Sequence, residues 1–404
     1  MMHENKTSLS GFALLALWFG AAISLAEIFT GGLLAPLGFW DGLKAIVLGH
    51  LIGGSILILG GYIGATSKLP AIMSTRISFG SYGSYLFSLL NVLQLIGWTA
   101  VMIITGGRAA NALSIALFGV DNISLWSVGI GAMIALWIVL GKEGFTKLNV
   151  LAVILLLGLT IVLCGVVFSE QSIFSSVSTG EMSFGAALEL SIIMPLSWLP
   201  LISDYTRFAK TKKSGLIGSF AGYFIGSTLM YTIGLAIALY AKEADVGTMM
   251  LALNLGFFAL AIVVLSTVTT TFLDAYSAGV TLLNVFPQLN ERKVAFAMAL
   301  IGLVVAIFTP IEQYENFLYA IGSVFGPLFA IVLSDYFIFK KEKIEPKLAL
   351  HVGAFVVWAI GVYLYYQFIT LDLILGSTLP TMLCTAVLFI LTKKVSEKWT
   401  LESK

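Results

Sequence analysis

Twelve runs of mostly apolar residues divide the chain, near 10–36, 43–66, 82–110, 124–140, 149–168, 185–207, 216–240, 252–285, 293–309, 314–339, 348–369 and 371–393. A helix crossing the hydrocarbon of a bilayer needs roughly 20 such residues, with a lower limit near 17. The runs are continuous rather than alternating, so a transmembrane β-barrel is excluded. The pattern therefore predicts an all-α polytopic membrane protein of twelve transmembrane helices. The connections are short and hold no low-complexity or Gly/Pro/Ser-rich linker, so one membrane domain accounts for residues 1–404. The first run begins near Gly11 and is too long for a cleavable signal peptide.

Charge fixes the predicted orientation. With both termini inside, the inner segments carry nineteen of the 22 Lys and Arg residues, and the outer ones only Lys44, Arg108 and Lys242. Such asymmetry places the N- and C-termini in the cytoplasm and the protein in the cell membrane. Composition agrees: of 404 residues, 59% are hydrophobic and 11% charged, far from the balance of a soluble domain. A formal net charge of +1 gives no basic surface for nucleic acid. Cys164 and Cys384 are too far apart in sequence to suggest a disulfide framework or a metal site, and His3, His50 and His351 form no metal-binding spacing. No cluster of catalytic residues suggests an enzyme, no filter-like loop suggests a channel, and no cofactor is implied.

Segments two, four and five match segments seven, nine and ten at a displacement of roughly 165–175 positions, an internal repeat signal. Each copy holds five helices, an odd number, so the second must cross the membrane in the opposite sense. Repeat one covers 10–168 and repeat two 185–339, with helices eleven and twelve (348–393) outside. The first helix of each copy carries interrupting residues at mid-depth: Gly20 to Glu27 followed by Thr30-Gly31-Gly32 and Pro36 in segment one, and Pro195 and Pro200 in segment six. Proline removes an N–H and clashes with the preceding turn. Either a simple kink or a true break satisfies each segment alone. Matched interruptions in corresponding helices point to a midplane binding site.

Membrane-embedded acids cost about 2.5–3.5 kcal/mol each on insertion scales, which makes them functional candidates. Asp204 and Asp335 lie beside Arg207 and Lys340 and suit interfacial pairing. Glu189 precedes Pro195 by a turn and a half. Glu27 lies at mid-depth with no basic neighbour, fitting either a substrate or proton role or a hydrogen bond to another helix. Ser266 to Thr271 hold five hydroxyls. These either bond back to their own helix or, with carbonyls bared by a break, cage an alkali cation, with Asp274 one turn on as longer-range support. Gln94 and Trp98 share a helical face, so an indole plane and an amide would suit a flat heterocycle; packing is the alternative. Trp198 offers a second plane. Asn91, Tyr276, Tyr319 and Asn316 are weaker candidates.

Four features in order resemble the nucleobase–cation symporter family of cytosine permeases and hydantoin transporters. They are Gly20 through Gly32, Gly97-Trp98, Ser203-Asp204-Tyr205-Thr206-Arg207-Phe208, and Thr269-Thr270 followed by Tyr276-Ser277-Ala278-Gly279. In detail the chain resembles the hydroxymethylpyrimidine permease branch. The resemblance implies a leucine-transporter-like five-plus-five inverted repeat with helices 1 and 6 broken, and cation symport by alternating access. It implies a sodium site from carbonyls at Gly20 and Ile23 with Ser266, Thr269 and Thr270. It also implies a planar substrate on Trp98, contacted by Pro195, Ser197 and Thr271; the residues themselves add Ser24, Glu27, Gln94 and Trp198 to the expected pocket. Cytosine permeases differ in having asparagine where Thr271 stands and a glutamine one residue nearer the tryptophan than Gln94. The expected substrate is thus a pyrimidine, above all hydroxymethylpyrimidine, whose amino group Glu27 would meet. A proton-coupled permease for cytosine, another nucleobase or thiamine is the alternative.

Overall fold

A computed structural model describes residues 8–140, 145–241 and 256–402. Among these residues, helices occupy all twelve predicted segments. Span one is α1 (Gly11–Ala22) and α2 (Leu25–Leu33). Span two is α3 (Phe39–Ser67), and the short α4 (Ala71–Ser74) leads to span three, α5 (Arg76–Phe118). Spans four and five are α6 (Ile123–Leu140) and α7 (Phe145–Val167). Span six is α8 (Phe184–Ser197) and α9 (Ile202–Thr206), and span seven is α10 (Lys212–Ala241). Then come α11 (Gly256–Leu282), α12 (Glu291–Phe308) and α13 (Tyr314–Leu333) as spans eight to ten. Spans eleven and twelve are α14 (Val352–Leu371) and α15 (Thr378–Ser396). Span three outruns its predicted limits at both ends; at its start a short helical stretch is joined to the main helix through a kink at Gly80, whose φ of 80° is non-helical.

The two repeats interlock. Span one packs on span seven, and span two packs on span six, as exchange of the repeats demands; span three against span eight maps onto itself. Both crossed pairs use glycine seams. A Cβ at Gly222 or Gly234 of α10 would run into the carbonyl oxygens of Leu15 and Ile28, and one at Gly53 of α3 into that of Ile192. Backbones meet directly there, with dispersion contact in place of interposed side chains.

Span one breaks by 59°. The last helical bond of α1 runs from the Ile23 N–H to the Phe19 carbonyl, and Ile23 leaves helical geometry. The carbonyls that end α1 therefore lose the donors a continuing helix would supply. Ser24 restarts the chain as an N-cap, its Oγ accepting the Glu27 N–H at 3.3 Å. Span six is interrupted later than its first proline suggests. The helix runs through Pro195 and stops at Ser197. Pro200 disfavours helical geometry at Leu199, and the N–H groups of Leu201 and Ile202 both turn back to the Trp198 carbonyl.

Spans eleven and twelve are fastened to this core. Glu189 of α8 accepts the Ser377 and Thr378 N–H groups at 2.7 and 2.8 Å, the Thr378 hydroxyl at 2.6 Å and the Tyr365 hydroxyl at 2.7 Å. It thus caps α15 from a different span. Of the interfacial acids, Asp335 pairs otherwise than expected, while Asp204 keeps Arg207 beside it. Asp335 takes Lys393 at 2.5 Å rather than Lys340, and Asp204 accepts the Ala71 N–H at 3.0 Å, capping α4.

Strand β1 (Leu348–His351) pairs antiparallel with β2 (Thr400–Glu402). His351 Nδ1 accepts the Ala354 N–H at 3.0 Å and caps α14. Burial, then nearby Lys393 and Lys341, push this imidazole down to about 4, below its ordinary value near 6.5. A ring whose protonation is disfavoured in the fold supports stability fully above pH ~6.5 and loses that support as pH falls toward 4. Acidification through this window should lower hydrogen-exchange protection, taken relative to the intrinsic rate at each pH, at residues 348–354 and 400–402, and His351→Asn should remove that loss.

Candidate functional site

Spans one, three, six and eight converge on a small cavity. Its wall takes Ala21, Ser24, Ala26 and Glu27 from the broken span one, Trp98 and Met102 from α5, Met194 and Trp198 from span six, and Thr270 and Asp274 from α11. The breaks position this wall. Bending span one turns Ser24 and Glu27 inward, and ending α8 at Ser197 leaves Trp198 on a turn. Trp98 is held by the edges of Phe317 and Tyr314, with ring centroids 5.5 and 6.2 Å away. Trp198 is held by Trp18 at 5.5 Å and Tyr223 at 6.4 Å. Two indoles thus border a small, largely apolar space, the form of site that suits a small planar ligand.

Glu27 lines the cavity, but its oxygens are engaged on span seven. Tyr223 donates its hydroxyl to Oε1 at 2.9 Å, and Ser227 Oγ lies 2.6 Å from Oε2. Ser227 Oγ also stands 2.6 Å from His50 Nε2, while His50 Nδ1 is 2.8 Å from the Ile46 carbonyl. A carbonyl only accepts, so Nδ1 carries a hydrogen. The single Ser227 hydrogen serves one neighbour only. A further proton must therefore lie in the chain Glu27–Ser227–His50, which makes the three groups neutral overall. All are buried, so neutrality avoids the cost of an isolated ion in a low-dielectric interior.

Other expected contacts fall differently. Gln94 does not line the cavity; its Nε2 donates to the Ser197 carbonyl at 2.6 Å, the acceptor freed where α8 stops. Ser197 Oγ bonds back to the Met194 carbonyl at 2.7 Å, and Ser197 and Pro195 stand behind the wall. Thr271 is likewise turned away, its hydroxyl donating to the Thr267 carbonyl at 2.6 Å; a helix-internal bond satisfies it without a ligand. Gly20 and Ile23 lie at the end of α1, beside the cavity-lining Ala21 and Ser24. Thr270 faces the cavity. The side chains of Ser266, Thr269 and Tyr276 lie outside the described residues.

Reading the sequence missed Met102, Met194 and the cavity position of Asp274. Helical spacing carried part of the signal: Met102 follows Trp98 by four positions, and Asp274 follows Thr270 by four. Tyr223 and Ser227 share the same spacing, but their meeting with Glu27 depends on how span seven crosses span one.

A family profile for permeases of cytosine and purines, uracil, thiamine and allantoin matches residues 2–388. The cytosine permease of Escherichia coli (strain K12) is 27% identical over 332 residues, covering 80% of this chain and 77% of that protein. The allantoin permease of Bacillus subtilis (strain 168) is 24% identical over 398 residues, covering 88% and 81%. Among solved structures, the inward-facing conformation of Mhp1 aligns with a TM-score of 0.84 at 20% identity, covering 97% of this chain and 92% of that one. A closed conformation of Mhp1, a nucleobase-cation-symport-1 family transporter with bromovinylhydantoin bound, aligns at 0.80 and 20% identity, covering 97% and 93%. The fold is thus the five-plus-five inverted repeat with two added helices, and the chain belongs to the family of membrane permeases for cytosine and purines, uracil, thiamine and allantoin.

Proposed function

We propose that the protein imports a pyrimidine across the cell membrane together with a cation, by alternating access, with both termini in the cytoplasm. The observation that carries this reading is the cavity itself: a space bordered by Trp98 and Trp198 at the interrupted part of spans one and six. The substrate favoured is hydroxymethylpyrimidine, stacked on Trp98. Relatives that carry cytosine and allantoin, and a structural relative that holds bromovinylhydantoin, support a flat nitrogen heterocycle.

The coupling ion proposed is sodium, held by the carbonyls of Gly20 and Ile23 with the hydroxyls of Ser266, Thr269 and Thr270. The bared end of α1 supports this, since hard oxygen donors suit an alkali cation. Sodium would join span one to span eight and organise the aromatic wall, and each ligand would raise the affinity of the other.

Proteoliposomes given radiolabelled hydroxymethylpyrimidine test both parts. Uptake should saturate, fall under excess unlabelled substrate, and accumulate against a gradient only when external sodium exceeds internal. Accumulation unchanged by sodium but driven by an inward proton gradient would replace the ion. Absence of saturable uptake for hydroxymethylpyrimidine, with uptake of cytosine or thiamine instead, would replace the substrate.

A further inference from the structure

Almost every polar group of the cavity wall already has a partner. Ser24 Oγ caps α2, and both oxygens of Glu27 are engaged on span seven. Asp274 is the exception among the ionisable groups. It lines the cavity, is 6% exposed, and meets no hydrogen-bond donor or basic side chain among the described residues. No Lys, Arg or His belongs to the described wall. A carboxyl so placed is costly unless something pairs with it. A ligand within the cavity is placed to supply that partner.

We propose that Asp274 is a substrate-binding residue that takes the amidine edge of an aminated heterocycle, a primary amine beside a ring nitrogen, in two parallel hydrogen bonds sharing one proton. This rests on the reading that a flat ring occupies the cavity, and deepens it. The amine donates to one carboxyl oxygen. The second oxygen and the ring nitrogen are both acceptors, so one proton must lie between them. It is carried in either on Asp274 or on the ring, as O–H···N or N–H···O. No covalent bond forms or breaks. The pair is neutral overall, which removes the cost of a lone carboxylate. Paired, charge-assisted contacts of this kind are both stronger and more selective than single ones. A ring without the amine leaves one carboxyl oxygen without its donor and keeps only the bond through its ring nitrogen. Glu27, to which the sequence assigned this task, already holds a span-seven partner on each oxygen.

Binding of cytosine and hydroxymethylpyrimidine, and of hydroxymethylpyrimidine lacking its amino group, should be measured on the full chain in detergent by calorimetry. Asp274→Ala should weaken binding of both aminated rings by at least about tenfold, the scale of lost charge-assisted bonds. The ring without the amine should lose clearly less affinity in Asp274→Ala than the aminated rings do, since it has only one of the two bonds to lose. Asp274→Asn should keep most affinity for the aminated rings, because an asparagine amide presents a donor and an acceptor side by side, as it does to adenine. Ligand-free thermal unfolding of each variant reports whether it folds. Equal loss for all three rings, or none, would overturn the assignment. So would loss of sodium response in Asp274→Asn with ring binding intact, which would make Asp274 an ion ligand. Trp98→Ala separates the two levels: if it leaves ring binding untouched, the cavity reading itself fails. If it abolishes binding while Asp274→Ala does not, only the assignment of Asp274 fails.

Discussion

Trp98→Ala is expected to weaken binding of a pyrimidine substrate by roughly 5- to 150-fold, the range given by about 1–3 kcal/mol per stacked base. Trp98→Phe should recover much of this, since a smaller ring keeps a stacking face. The indole lies against Phe317 and Tyr314 on one side and the cavity on the other. Truncation therefore removes a wall of the site and also opens space between spans three and ten. Loss of a buried tryptophan costs about 3–5 kcal/mol of stability when the gap does not close. Ligand-free unfolding temperature and ligand-induced stabilisation separate these effects. A variant that unfolds earlier yet still gains full stabilisation from substrate would show that Trp98 only packs. The sodium response should survive, because no proposed ion ligand lies on α5.

A second large effect is expected at Glu27, with opposite outcomes for two substitutions. Glu27→Ala strips partners from Tyr223 and Ser227 at once and should cost about 2–5 kcal/mol. Glu27→Gln should cost less than about 1 kcal/mol, a difference visible in thermal unfolding. Its amide oxygen accepts from Tyr223, and its N–H supplies the extra hydrogen that the chain through Ser227 to His50 requires. If Glu27→Gln proves as damaging as Glu27→Ala, the side chain is needed as an anion and the extra proton of the chain belongs to His50. Ser227→Ala should resemble Glu27→Ala in stability, because it cuts both 2.6 Å contacts.

Glu27 and Asp274 show where sequence reading stopped. Both are acids within predicted spans and without a basic neighbour in sequence. Their roles diverge because span seven carries Tyr223 and Ser227 to one and no described residue brings a donor to the other. The same limit applied at Gln94. It precedes Trp98 by one turn on α5, yet its partner is a carbonyl freed 103 positions away. What was legible depends on short-range pattern: the twelve spans from hydropathy, the repeat from spacing, and the break of span one from residues around Ser24. Prolines marked the interruption of span six but not its register, since α8 tolerates Pro195 and yields only after Ser197. Asp335 found Lys393 rather than Lys340 because helix twelve folds back beside it.

The glycine-lined contacts bear on how such a molecule can move. Where Gly222 and Gly234 bring two backbones together, no side chain is available to change rotamer and ease one helix past another. Sliding there would lose close contact along the whole length at once. Spans one and seven, and equally two and six, are thereby welded into pairs that travel as units. Relative displacement is left to the borders these units share with spans three and eight, and the two-indole chamber lies on that fault line.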